Sequence, residues 1–269
     1  MHFIEVEDGV KLYVKDLNTG YENTLVFVHG WPLNHKMFEY QLDFLPNYNF
    51  RCIAIDLRGF GISDKPWNGY CYNRLADDVR LVIEELNLRN ITLIGFSMGG
   101  AIAIRYMSRY KKSRVKKLAL IAAAAPAFTQ REDYPYGMTK EGVNNLILNT
   151  YENRPKMIAD FGKNFFNNEV TPEFVDWFRG LGLEAEGYST IKTAVSLRDE
   201  DLRNDLKHID VPTGIFQGKL DKICPYEFSL ELNKNIKDSK LYSFENSGHG
   251  VFYDELDEFN RKFLEFLMM

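Results

Sequence analysis

The five residues Gly95-Phe96-Ser97-Met98-Gly99 constrain what this chain can fold into more than any other stretch of it. The β-forming run Ile91-Thr92-Leu93-Ile94 leads straight in, and the helix-compatible run Ala101-Ile102-Ala103-Ile104-Arg105-Tyr106-Met107 leads straight out. A serine at the apex of so tight a strand-to-helix turn takes a strained backbone conformation. Only residues with little or no side chain fit two positions either side of it. The turn lifts the hydroxyl out of the sheet to a helix N-terminus, where backbone N–H groups favour developing negative charge. The bland alternative is a glycine-rich turn with an incidental serine, since short motifs match often. The flanking strand and helix count against it, because they are the context the motif requires.

Strands and helices alternate around this turn. Residues 3–7 and 11–17, about Asp8-Gly9, predict a β-hairpin. Further strands are predicted over 24–28, 51–55, 91–96 and 115–122, with helices over 35–45, 72–86 and 98–110. The apolar run Leu25-Val26-Phe27-Val28 suits a parallel sheet covered on both faces by helices. From 127 to 200 the alternation stops, leaving helix-like stretches at 139–151, 155–166, 172–181 and 185–197. It resumes with a strand over 211–217, a helix over 225–235, a strand over 240–244 and a final helix over 256–267. The expected architecture is α/β, with a mostly parallel sheet of about eight strands. Its core comprises residues 1–126 and 201–269, and residues 127–200 form a helical insertion. A chain of 269 residues is long enough for one such domain.

Composition excludes several classes of partner. A net charge of −5 argues against nucleic acid and anionic membrane surfaces, both of which need a basic face. The longest apolar run, 118–128, is too short to span a bilayer and contains Pro126. The first residues alternate like a strand and lack the pattern of a secretory signal. Cys52, Cys71 and Cys224 are sparse and show no metal-ligand spacing, so they read as free thiols in a reducing compartment. The expectation is a cytoplasmic protein without membrane or nucleic-acid partner, metal or cofactor; homo-oligomerisation stays open.

Ser97 needs a base, because a free hydroxyl is a poor nucleophile at neutral pH. Of five histidines, His249 lies in the small-residue loop Ser247-Gly248-His249-Gly250 between the last strand and last helix. That loop can hold an imidazole over the sheet's carboxyl edge, where open α/β sheets carry their sites. His29, at the end of another strand, suits a structural role in its turn. The base needs an acid to hold its tautomer. Asp221 follows the strand over 211–217 at the same edge, whereas the segment after residues 115–122 is Ala123-Ala124-Ala125-Pro126 and carries no carboxylate. Glu132 and Asp133, farther on, are weaker candidates. The alternative for Asp221 is a turn-forming aspartate. Asp56, Arg58, Asp64 and Lys65 suit a charged structural loop better than a catalytic one.

The order Ser97, Asp221, His249 with these strand positions is the chain order of one fold. The sequence resembles the α/β-hydrolase superfamily over essentially its whole length, and within it the cofactor-free haloperoxidase, arylesterase and perhydrolase group. The likeness is carried by HGWPLN (29–34), DLRGFGISDKPW (56–67), residues 70–78, GFSMGG (95–100), DVPTGIFQGKLDKICP (210–225) and the SGHG loop. The resemblance implies a catalytic Ser97–His249–Asp221 set and an oxyanion hole formed by the backbone N–H groups of Trp31 and Met98. It implies that the helical insertion is a cap shaping the acyl pocket, with Phe128, Phe161, Phe165, Ile223 and Val251 as lining candidates. The rings between 128 and 178 suggest a small pocket and short acyl groups. The implied reaction is hydrolysis of small carboxylic esters through an acyl-enzyme, with hydrogen peroxide as a second acceptor yielding a peracid. A lactonase or a carbon–carbon bond hydrolase with the same three residues is the alternative within the fold. A ligand-binding protein without turnover is the alternative outside enzymology, and binding alone requires none of that set.

Overall fold

The computed structural model describes residues 2–111 and 114–269. Among these residues the strands β1 (His2–Glu7), β2 (Val10–Leu17), β3 (Thr24–Val28), β4 (Arg51–Ile55), β5 (Ile91–Phe96), β6 (Val115–Ile121), β7 (Thr213–Gly218) and β8 (Ser239–Phe244) form one sheet. Their spatial order is β1-β2-β4-β3-β5-β6-β7-β8. The β1–β2 hairpin and its junction with β4 are antiparallel. Every pairing from β4 across to β8 is parallel. This is the α/β-hydrolase sheet that the sequence led us to expect.

All residues of β3 and β5 are buried, so both faces of the central sheet are covered. Their Val, Leu, Ile and Phe residues fall at odd and even positions alike, which suits a strand with no solvent face. The helix α1 (Glu39–Phe44) is short, while α2 (Tyr72–Glu85) buries Leu75, Ala76, Val79, Val82 and Ile83 along one stripe. Behind Ser97, α3 (Met98–Tyr110) packs on α2, β3, β5 and β6. Each fully buried large apolar side chain of this kind contributes about 1.5–3 kcal/mol.

Between β6 and β7 the chain forms α4 (Lys140–Gly162), α5 (Pro172–Leu183) and α6 (Gly187–Asp199). After β7 come α7 (Tyr226–Asn235), β8, the short α8 (Val251–Asp254) and α9 (Leu256–Met268). Phe259, Phe263 and Phe266 of α9 surround the Phe216 ring of β7 at 5.8, 5.2 and 5.9 Å between centroids. No helix of the described residues is long and apolar enough to cross a membrane.

Three elements differ from the sequence expectation. The predicted helix over 35–45 is broken into a 3-10 turn His35–Phe38, then α1, then a second 3-10 turn Leu45–Tyr48. Asn34 caps the first turn by accepting the Lys36 N–H at 3.0 Å, and Pro46 sits at the start of the second. The stretches expected as helices over 139–151 and 155–166 run together as α4, kinked at Asn153 (φ −157°, ψ 78°). Asn153 accepts the Lys156 N–H at 3.1 Å, so its side chain restarts the helix where Pro155 cannot donate. Finally, α8 follows directly on the His249 loop, and four residues are too few to leave a periodic signal.

Parallel pairing places the carboxyl ends of β3 to β8 at one edge of the sheet. The segments carrying Trp31, Asp56, Ser97, Asp221 and His249 all leave the sheet there.

Candidate active site

Ser97 sits at φ 52° and ψ −117°, a conformation that L-residues rarely adopt. Its N–H donates to Ile121 O at 2.9 Å, and its carbonyl accepts from the Gly100 and Ala124 N–H groups at 2.9 Å each. These main-chain bonds hold the strained turn from both sides. The two flanking glycines permit the close packing. A Cβ on Gly95 would lie 2.3 Å from Gly99 O, and one on Gly99 would lie 2.1 Å from Val28 O.

His249 and Asp221, 28 residues apart in sequence, meet at 2.8 Å between Nδ1 and Oδ2. The carboxylate's other bonds all come from donors: the Ile223 and Cys224 N–H groups reach Oδ1 at 2.8 Å each, and Gln217 Nε2 reaches Oδ2 at 2.8 Å. An acceptor surrounded by donors selects the imidazole tautomer with hydrogen on Nδ1, leaving the Nε2 lone pair free. The ring is wedged between Phe96 and Phe165, at 4.8 and 4.9 Å between centroids. His249, Asp221 and Ser97 are all buried.

Sequence reasoning missed Gln217. It lies on β7 four residues before Asp221 and also donates to Cys224 O at 2.9 Å, closing the loop around the carboxylate. A polar residue inside an otherwise apolar buried strand was its only signal. Cys224, which the sequence marks only as a free thiol, joins this loop's bonds through its own N–H. Burial pushes that thiol well above its ordinary range, with Asp221's charge adding to the effect and a hydrogen bond with the Ser97 side chain partly offsetting it. Cys224 therefore stays protonated beside Ser97.

The N–H groups of Trp31 and Met98 donate to no protein acceptor among the described residues. The Trp31 indole bonds through Nε1 to Thr190 O at 2.9 Å, which ties its loop to α6. Ser97 opens into a cavity of about 10 Å³, the room of about one water. Trp31, Phe128, Phe161 and Ile223 line it, together with Leu146 and Leu197, which the sequence did not single out. Phe165 instead backs the His249 ring and faces a neighbouring apolar cavity of about 450 Å³, whose other wall shares Phe161. Val251, buried at the start of α8, lines neither cavity.

His29 is a structural strut. Its Nδ1 bonds to Gly30 O at 2.9 Å, and its Nε2 accepts the Leu57 N–H at 3.0 Å. Burial lowers its pKa from 6.5 to about 4, with Asp56's charge and the Gly30 bond opposing only in part. The unfolded chain therefore binds the proton more readily than the native state. Stability from this group is complete above about pH 6.5 and is lost as pH falls towards 4, a loss of about 3 kcal/mol. Urea unfolding between pH 7 and 4 should show this slope, and His29→Gln should flatten it; an equal slope in both proteins would refute the assignment.

The charged loop after β4 is also structural. Asp56 accepts the His35 N–H and Nδ1 at 2.8 and 2.7 Å and the Ile62 N–H at 3.0 Å. Arg58 does not pair with Asp56; it grips Asp78 at 2.5 and 2.8 Å and Glu7 at 2.9 Å. Asp64 accepts the Lys11 N–H at 2.7 Å. No group of three or more His, Cys, Asp or Glu side chains is placed to hold a metal ion among the described residues.

A parallel α/β sheet with a strained serine turn and a buried His–Asp pair at its carboxyl edge defines a hydrolase fold. The family described as the alpha/beta hydrolase fold matches residues 23–256, and the chain belongs to it. The chain is 52% identical to the AB hydrolase superfamily protein YisY of Bacillus subtilis (strain 168), over 98% of each chain. It is 30% identical to the bifunctional esterase/perhydrolase DCH of Acinetobacter calcoaceticus, over 99% of each. Among solved structures it superposes on an esterase (EaEST) from Exiguobacterium antarcticum with a TM-score of 0.97 at 46% identity, over 99% of both chains. The protein is thus a hydrolase whose relatives include esterases and a perhydrolase.

Proposed function

We propose that this hydrolase cleaves small carboxylic esters through an acyl-enzyme on Ser97, with His249 as general base and Asp221 as its orienting acid. The observation that carries the reading is the 2.8 Å His249–Asp221 bond, which selects the tautomer with an unprotonated Nε2, at the same sheet edge as a strained serine that lines a cavity. In the first step Ser97 Oγ attacks the ester carbonyl carbon as Nε2 takes its proton. The resulting oxyanion accepts from the unengaged N–H groups of Trp31 and Met98, each such donor contributing about 3–4 kcal/mol in the transition state. The tetrahedral intermediate then collapses, and the alcohol leaves with the proton from Nε2. Water, deprotonated by the same nitrogen, attacks the acyl carbon, and collapse returns the proton to Ser97 and frees the acid. Asp221 stabilises the transient imidazolium throughout.

Hydrogen peroxide in place of water yields a peracid by the same route, and the relative named esterase/perhydrolase supports this side activity. In this reading residues 127–200 are a cap over a core made of 1–126 and 201–269. Phe128, Phe161 and Ile223, which line the cavity at Ser97, then bound a short acyl group. The three free cysteines suit a reducing compartment such as the cytoplasm.

A p-nitrophenyl organophosphate should label the protein stoichiometrically on the peptide containing Ser97 and abolish ester hydrolysis. Label on another residue, or full activity after Ser97 is labelled, defeats the reading. Among p-nitrophenyl esters, acetate should exceed butyrate in kcat/KM; the reverse order would remove the short-acyl assignment.

A further inference from the structure

The loop that carries His249 is bonded on both sides to the segment that follows the long helix α4. Asp254, the last residue of α8, accepts the Gly248 N–H at 2.7 Å. The same carboxylate accepts the Asn167 N–H at 2.9 Å and the Asn168 N–H at 3.0 Å, and Asn168 Nδ2 donates back to Asp254 O at 2.7 Å. On the other side of the histidine, the Gly250 N–H donates to Phe165 O at 2.7 Å. Asn167 Nδ2 reaches Asn246 O at 2.9 Å. The Phe165 ring itself lies against the His249 ring at 4.9 Å.

Thus Gly250, just after His249, is held directly by the segment around 165–168, and Gly248, just before it, is held through Asp254, whose carboxylate bonds to Gly248 and to residues 167 and 168 alike. A carboxylate that gathers three backbone N–H groups fixes their relative positions, because each charge-assisted bond favours one geometry. Glu255 anchors the same loop, accepting the Asn246 N–H at 3.0 Å and the Ser247 hydroxyl at 2.6 Å, and among the described residues it makes no bond to residues 165–168. The two acids therefore divide the work: Glu255 closes the loop on itself, and Asp254 sets it against the insertion.

We propose that Asp254 is a positioning residue for His249, coupling the segment around 165–168 to the orientation of the imidazole. The inference rests on His249 being the base of the proposed reaction. Any displacement of that segment is transmitted to the histidine through Asp254 and through the Gly250–Phe165 bond. Asp254 itself lines neither the Ser97 cavity nor its neighbour, so its main effect through His249 falls on turnover.

The test compares wild type with Asp254→Ala and Asp254→Asn, well below their melting temperatures. With p-nitrophenyl acetate, kcat should fall about 10–100-fold in Asp254→Ala with KM nearly unchanged, the size expected when a reacting group is displaced by about 1 Å. Asp254→Asn retains an acceptor oxygen and should recover part of that loss. Proton NMR supplies a readout that needs no turnover. The low-field Nδ1–H resonance of His249, bonded to Asp221, should be sharp in wild type and in Ser97→Ala, and should broaden or shift in Asp254→Ala. An unchanged resonance and unchanged kcat in folded Asp254→Ala overturn the proposal, as does a rise in KM alone. Undiminished hydrolysis by Ser97→Ala would instead defeat the catalytic reading, while the resonance would still report on the positioning.

Discussion

Ser97→Ala is expected to lower kcat for p-nitrophenyl acetate by about 10⁴–10⁶-fold while the protein stays folded. Only Oγ is removed. The main-chain bonds that hold the turn, from Ser97 N–H to Ile121 O and from Gly100 and Ala124 N–H to Ser97 O, all remain. Alanine carries the same Cβ as serine, so the positive φ of 52° is no harder to hold. Residual catalysis would come from the Trp31 and Met98 donors and from binding alone. Cys224 cannot stand in as nucleophile, because burial keeps its thiol protonated. Single-turnover kinetics and thermal melting of the variant check both halves of the expectation. Activity within about tenfold of wild type, far above what donors and binding alone leave, would mean that another residue attacks the ester.

Gly99→Ala is expected to destabilise the fold by about 4 kcal/mol or more, and to abolish activity with it. The added Cβ would lie 2.1 Å from Val28 O and 2.6 Å from His29 O. Both neighbours are backbone, so no side chain can rotate out of the way. The first turn of α3 would have to move off β3, and Ser97, whose carbonyl binds Gly100, would move with it. Gly162→Ala is the control. A Cβ there meets nothing within 4 Å, and the change should alter stability by less than about 1 kcal/mol. Urea unfolding of the two variants side by side is the measurement. If Gly99→Ala unfolds at the same urea concentration as Gly162→Ala, the close packing of α3 against β3 is not what demands glycine there.

Much of the architecture was legible because its signals are local. The run Leu25-Val26-Phe27-Val28 is apolar at every position, and the structure buries every one of them between covered faces. Pro155 marked a break between two helices, and the kink falls at Asn153, where the Asn153 side chain starts the second half. The helix expected over 35–45 is broken by local features, the Asn34 cap and Pro46, and its start is also held from a distance. Asp56, 21 residues away from His35, pins the chain's entry through two bonds that no local propensity encodes.

The candidate site divides in the same way. The strand–serine–helix turn is visible because the spacing of Gly95 and Gly99 reports a backbone contact. Gln217 showed only as a polar residue in a buried strand, and Asp254 did not show at all, because their roles depend on partners that neither neighbourhood reveals. Their partners are Asp221 with Cys224, and Gly248 with residues 167–168. For the pocket, aromatic content announced that rings would be present but not which would face Ser97. Phe161 lines its cavity, Phe165 supports His249, and Val251 packs away from both cavities.

Taken alone, the sequence determined the alternation of elements, the strained serine turn and the chain order of Ser97, Asp221 and His249. The first two depend on residue type and spacing within one or two turns of chain, where sterics and periodicity act directly, and the third is read from the order of the elements. Only the tertiary structure decided which groups meet across long separations: the His249–Asp221 bond, the clamp of Asp254 on residues 167 and 168, and the division of one ring cluster into cavity wall and histidine support. Hydrogen bonds act over about 3 Å and ring contacts over a few ångströms more. Which distant residues come within that reach is settled by the packing of the whole sheet and its helices.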